Sequence, residues 1–164
     1  RRAFAHAIDK HELVKQAYAG AADVAVGPIP SVLLGHGGGY QGLGYDPDLS
    51  RRLLREANFN AKKKLVLWRS FAEQGISENS GELICGYLSE IGVNCKVQVV
   101  SKDEMIQAII DGRAQMTELS WYADYADEDN FTDSLFHSAH RSSIFKRLAH
   151  SPAIDELCTE PVRW

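Results

Sequence analysis

Apolar residues recur along the chain with two different periods, and the switches between them outline its elements. In residues 77–91, Leu83, Ile84, Tyr87, Leu88 and Ile91 fall on one face at 3.6-residue spacing, which predicts an amphipathic helix. Gly92 stops it. Val93, Cys95, Val97 and Val99 then alternate with Asn94, Lys96 and Gln98, the pattern of a half-buried strand. Ser101 to Glu104 reads as a capping box, Met105, Ile106, Ile109 and Ile110 line the next helix, and Gly112 closes it. Apolar runs over 64–68 and about 115–121 supply a strand before and a strand after this pair. Upstream, residues 2–8 give a short helical pattern. Asp9 to Glu12 is another capping box, opening a helix whose apolar face is Leu13, Val14, Ala17 and Tyr18 and whose end is Gly20. A glycine-rich connection with Pro28 and Pro30 follows. Asp46-Pro47 then places a cap and a proline at the start of a helix marked by Leu49, Leu53, Leu54 and Ala57, running to about Asn58.

Strand, helix, strand, helix, strand with short turns predicts an α/β lobe built on a βαβαβ parallel core, its strands joined by right-handed crossovers. Such sheets bind ligands beyond the carboxyl ends of their strands. Those ends are Trp68-Arg69-Ser70, Val100-Ser101 and Trp121-Tyr122-Ala123-Asp124. The last runs into Ser120–Phe131, where four carboxylates and four aromatics sit within twelve residues. A strand ending in an aromatic, acidic loop reads as the rim of a ligand cleft. Trp121, Tyr122 and Tyr125 would shape the pocket, and Asp124 supplies a charge at its tip. Arg69 is a candidate donor to a ligand carboxylate. Glu118, if it faces the cleft, would favour a cationic ligand.

Composition narrows the class. A chain of 164 residues is one domain or one lobe, and its ordinary apolar and charged fractions argue against disorder. The net charge of −4, with no basic run beyond Lys62-Lys63-Lys64, disfavours nucleic-acid binding. No apolar run reaches membrane-spanning length. Cys85, Cys95 and Cys158 form no Cys-x-x-Cys pair, which argues against zinc or thioredoxin-like chemistry, and an odd number leaves at least one free thiol. The chain opens inside a helical pattern at Arg1 and closes just after another helix begins, so a fragment is expected.

Other chemistries fit less well. Asp124, Asp127, Glu128 and Asp129 lack calcium-loop spacing, and Asp129 or Asn130 is expected to cap the following helix. His137 and His140 share a helical spacing but have no third ligand nearby. The glycine run from Gly35 to Gly44 lacks the Lys-Ser/Thr of a phosphate cradle and is expected to be a loop. No nucleophile, base and orienting group can be assembled, so no catalytic residue, cofactor or metal is expected and the chain is read as a non-enzyme.

The ordered set of motifs resembles the second lobe of the peptide/nickel class of extracellular solute-binding proteins, the receptors that feed ABC importers. Arg1 to Lys10 is similar to a family helix ending in a turn, Gly27-Pro-Ile-Pro30 and Tyr45-Asp-Pro47 to family turns, residues 88–100 to its helix-to-strand step and Ser151 to Asp155 to a late helix start. Trp121-Tyr-Ala-Asp-Tyr-Ala-Asp-Glu-Asp-Asn-Phe131 is the most specific. The chain departs from the pattern at Glu118, where oligopeptide receptors often place Arg, and at Glu128, where many members have Pro.

The resemblance implies a type II periplasmic-binding lobe over residues 1–164, with the amino-terminal lobe and the extreme carboxyl terminus lying outside it. It implies capture of peptides or similar small cationic solutes, with Asp124 holding the ligand's α-ammonium group. It further implies delivery to a membrane permease, a periplasmic or cell-envelope location, and a monomer at most peripheral to the membrane. A nickel, haem or sugar receptor of the same fold, or the sensing domain of a transcription regulator, are the alternatives.

Overall fold

The computed structural model describes residues 1–33, 42–71, 76–140 and 152–159. Most of the 35–44 glycine run, Ser151 and residues 160–164 lie outside them. The elements in order are α1 (Arg2–Ala7), α2 (Lys10–Tyr18), α3 (Pro47–Glu56), β1 (Leu65–Ser70), α4 (Ser80–Glu90), β2 (Cys95–Val100), α5 (Lys102–Ile110), β3 (Met116–Thr117), α6 (Asp133–Phe136) and α7 (Pro152–Thr159). Short 3-10 turns cover Glu128–Asn130 and Ser138–His140.

The caps legible in the sequence form as expected. Asp9 accepts from the Glu12 amide at 3.0 Å, Asp46 from Leu49 at 2.8 Å and Ser101 from Glu104 at 3.2 Å, each satisfying an orphan donor of a first turn. Gly92 and Gly112 take the left-handed conformation that ends a helix and starts a turn into a strand (φ +83° and +74°). At the end of α2 that conformation begins one residue early, at Ala19 (φ +49°).

The three strands are parallel in the order β2-β1-β3, with Leu65 to Ser70 in register with Cys95 to Val100, and Leu67 and Trp68 opposite Met116 and Thr117. From β1 the chain steps to one side through α4 and then back past β1 through α5. Right-handed crossovers in opposite directions must cover opposite faces. The core divides accordingly. Leu88, Ile91 and Val93 close on Ala7 and Leu65 on one face, with Phe4, Leu54 and Phe59 against them. Met105, Ala108 and Ile109 of α5 close on Trp68 and Val100 on the other.

Three expectations change. β3 is two residues long rather than seven, because after the Glu118 amide bonds the Trp68 carbonyl at 3.0 Å the ladder with β1 ends. β1 runs two residues further than expected and includes Arg69 and Ser70. β2 starts at Cys95, and Val99 near its far end is exposed because α4 begins over Val97, leaving Val99 uncovered. The cysteine chemistry also resolves. Cys85 of α4 and Cys95 of β2 form a disulfide across the helix-to-strand turn, and Cys158 is free.

Candidate functional site at the strand ends

Side chains of a strand alternate between faces, so Leu65, Leu67 and Arg69 of β1 point toward α4, as do Met116 and Glu118 around β3. The strand order reverses direction between β1 and β3. That reversal opens the crevice where doubly wound sheets place ligands. Arg69 and Glu118 lie at the base of this crevice, and Phe71, residues 76–79 and the loop following β3 form its rim.

The two charges face each other. Arg69 Nε is 3.6 Å from Glu118 Oε2, with the two side chains only 7% and 9% exposed. Arg69 Nη1 donates to the Glu78 carbonyl at 2.6 Å and Nη2 to the Ser77 carbonyl at 2.9 Å. Ser80 Oγ stands 2.7 Å from Glu118 Oε1 and 2.8 Å from the Ser77 carbonyl, its single proton shared between the two acceptors. Burial pushes the Glu118 carboxyl above its ordinary value, with the Ser80 hydrogen bond and the Arg69 charge pulling it back and Glu82 adding a small push upward. A Cβ added at Gly81 would stand 3.1 Å from Val97 Cγ2 and 3.2 Å from Glu118 Oε2, so glycine is what lets α4 approach this closely. Arg69, expected as a donor to a ligand carboxylate, and Glu118, expected to favour a cationic ligand, are engaged with each other in this lobe. Both side chains turn inward, and each is the other's counter-charge.

The aromatic and acidic loop begins two residues beyond Glu118 and is held from within. Trp121 Nε1 donates to Oδ1 of the buried Asn130 at 2.9 Å, which leaves the indole 36% exposed. The Tyr125 hydroxyl donates to Asp129 Oδ2 at 3.1 Å. Asp127 caps the 3-10 turn over Glu128–Asn130, accepting from the Asp129 amide at 3.3 Å, while α6, the helix expected to carry Asp129 or Asn130 as its cap, starts after Thr132 with no side-chain cap. Asp129 instead holds the tyrosine, and Asn130 the tryptophan. Tyr122 and Tyr125 are exposed. Asp124 is exposed as well and makes no hydrogen bond or ion pair among the described residues. A solvent-facing carboxylate on a tethered aromatic rim is chemically able to pair with a cation.

Sequence reasoning passed over Phe71. Its amide extends the ladder to the Val100 carbonyl at 3.3 Å, and its ring is 74% exposed at the tip of the central strand. An apolar residue directly after a strand was the available signal, hidden because β1 was read as ending at Trp68. Tyr18, expected only on a helix's apolar face, accepts from the Ser77 amide at 3.5 Å and so props the same rim. His137 sits in the break after α6 and accepts from the Ala139 amide at 3.0 Å. Among the described residues no group of three His, Cys, Asp or Glu could hold a metal. A pocket of about 310 Å³ beside α2 is lined by Asp9, Lys10, Leu43 and Tyr45, but Asp9 caps α2 and Lys10 is tied to the carbonyls of Ala5 and Leu43.

Residues 1–143 match the bacterial extracellular solute-binding proteins, family 5 Middle. The chain belongs to that family. The family-5 chain is 28% identical over 160 residues to the dipeptide-binding protein of Escherichia coli (strain K12), covering 94% of this chain and 30% of that one. It is 31% identical over 133 residues to di/tripeptide-binding protein 2 of Pseudomonas aeruginosa (strain UCBPP-PA14), 80% of this chain and 25% of the relative. Its fold superposes with TM-score 0.85 and 26% identity on the dipeptide-binding protein of Pseudoalteromonas sp. SM9913 solved in complex with Met-Leu, over 96% of this chain and 32% of that one. A Helicobacter pylori periplasmic binding protein solved with the peptide STSA gives 0.83 and 25%, over 96% of this chain and 31% of that one. The chain thus spans less than a third of the length of these relatives, and its fold is that of a type II periplasmic-binding lobe.

Proposed function

We propose that the chain is one lobe of the substrate-binding component of an ABC importer, and that the ligand is a peptide with a free amino terminus. The observation that carries this reading is Asp124, an exposed carboxylate without a hydrogen-bond or ion-pair partner among the described residues, on an aromatic rim at the strand-order reversal. Closure of a facing lobe would desolvate both the ligand's ammonium and this carboxylate. A buried charge is costly unless paired, so the pair would discriminate for an ammonium at this point. Trp121, Tyr122 and Tyr125 present ring faces with polar tips, and Phe71 a purely apolar ring, which together suit side chains of varied sequence. Arg69 and Glu118 serve as framework beneath them. Hinge closure between lobes would complete the site, and the closed receptor would dock on a membrane permease as a monomer. A cell-envelope location is supported by the Cys85–Cys95 disulfide, since such bonds persist in oxidising compartments. No helix among the described residues is long and apolar enough to cross a membrane.

The test is calorimetric titration of the full-length protein with di- and oligopeptides, free amino acids, nickel, haem and oligosaccharides. Saturable peptide binding at micromolar or better, lost in Asp124→Ala, is the expected result. Binding to metal, haem or sugar alone would overturn the ammonium-pairing mechanism.

A further inference from the structure

The buried charges beneath the rim have no ligand-binding task in this reading, and the energetics of such pairs argue against a purely stabilising one. Desolvating two charges commonly offsets their attraction, and replacing a buried pair with apolar side chains is often neutral or stabilising. What the cluster does possess is connectivity. Arg69 is on the central strand, and its two terminal nitrogens hold the carbonyls of Ser77 and Glu78, at the end of the loop that follows β1. Glu118 is the first residue beyond β3 and is held by Ser80, the first residue of α4. The loop carrying Trp121 and Asp124 starts two residues later, at Ser120. Both rims of the crevice are therefore fastened to one buried point, and Gly81 supplies the room for it. Glu118 Oε2 has no hydrogen-bond donor among the described residues, only the Arg69 charge at 3.6 Å. Among the described residues, the carboxylate's second oxygen thus has the guanidinium as its one counter-charge.

We propose that Arg69, Glu118 and Ser80 are positioning residues that set the two rims of the binding crevice as one unit. Their contribution is to the geometry of the ligand site rather than to the stability of the fold. This deepens the peptide-receptor reading in its affinity arm, whereas its mechanical arm stands without any ligand.

The experiment is hydrogen exchange on the full-length protein, with calorimetry against the dipeptide Met-Leu. In the double variant Arg69→Met/Glu118→Met, methionine donates no hydrogen bond to Ser77 or Glu78 and accepts none strongly from Ser80. The expected result is a melting temperature at or above that of the parent. Exchange should rise about tenfold or more at both 76–81 and 118–124 while β1 and β2 stay protected, in keeping with the near-neutral stability of apolar replacements. In Glu118→Gln the guanidinium keeps its grip on the two carbonyls, so the rise should be confined to 118–124. Exchange that rises uniformly through the strands, or at neither rim, overturns the proposal. Met-Leu affinity should fall about tenfold in the double variant, because a displaced charge partner is lost to the ligand. Unchanged Met-Leu affinity beside loosened rims overturns the positioning role. If the parent does not bind Met-Leu, the peptide reading fails, and the exchange pattern still decides whether the rims are set as a unit.

Discussion

Leu65 and Arg69 lie on the same face of the same strand, four residues apart, under the same helix. At Leu65 the strand meets Leu88, Ile91 and Val93, a cluster with no polar atom to satisfy. At Arg69 it meets the carbonyls ahead of α4 and a buried carboxylate from the neighbouring strand exit. β3 repeats the contrast within three residues, with Met116 packed against the apolar cluster and Glu118 in the polar one. One end of the sheet is built to hold together, and the other is built to hold loops in place. The two ends should therefore respond differently to mutation, the first in stability and the second in affinity.

The largest effect should come from the apolar end. Leu88 is fully buried, so Leu88→Ala should destabilise by about 2–5 kcal/mol in denaturant unfolding, through lost burial and the cavity left behind. Ligand affinity per folded molecule should be unchanged, and a parallel loss of affinity would break the contrast. At the cleft end, Asp124→Ala should cost about 2–5 kcal/mol of binding in the full-length protein, as for one partner of a buried charge pair. Because Asp124 is exposed in this lobe, the melting temperature should stay put. The disulfide belongs to the apolar end. Cys85→Ser with Cys95→Ser should lower stability by about 2–3 kcal/mol, the loop-closure value for a bridge of this span.

Asn130→Ala sits between the two classes. It leaves the Trp121 indole without its acceptor, for about 1–3 kcal/mol in unfolding and a weaker site as well. The smallest effect is a slope. The folded-state pKa of Glu118 is raised above its ordinary 4.5, so the folded protein keeps this proton at pH values where the unfolded chain has released it. The contribution to stability is thus fully present below the ordinary carboxylate value and is lost as pH rises through the raised one. Arg69, Ser80 and Glu82 are the groups that tune it. Glu118→Gln should flatten that part of the stability–pH curve relative to the parent, and parallel curves would contradict the assignment.

Legibility in the sequence follows the same division. Helix caps and apolar periodicity are local, so Asp9, Asp46, Ser101, Gly92 and Gly112 marked their elements, and the parallel order of strands followed from element succession. The short β3 was not legible, because its length depends on where a neighbouring strand ends. The inward turn of Arg69 and Glu118 was hidden for a related reason. Residues 49 positions apart become partners only through the strand order, and a charge at a strand end reads the same whether it faces solvent or a counter-charge. Likewise His6, which bonds the Gly44 carbonyl at 2.8 Å, and Ser50, which bonds the Ala3 carbonyl at 2.7 Å, carry no local signal of burial. In the rim loop, the acidic and aromatic content was plain, but which acid caps and which stays open required the fold.

The central claim is that Asp124 meets an ammonium group, and chemistry on the ligand tests it most directly. The measurement is calorimetric titration of the full-length protein with Met-Leu and with N-acetyl-Met-Leu, for the parent and for Asp124→Asn. The account predicts that acetylation abolishes or greatly weakens binding to the parent, and that the variant binds both forms weakly and alike. Equal binding of the two peptides by the parent would contradict it.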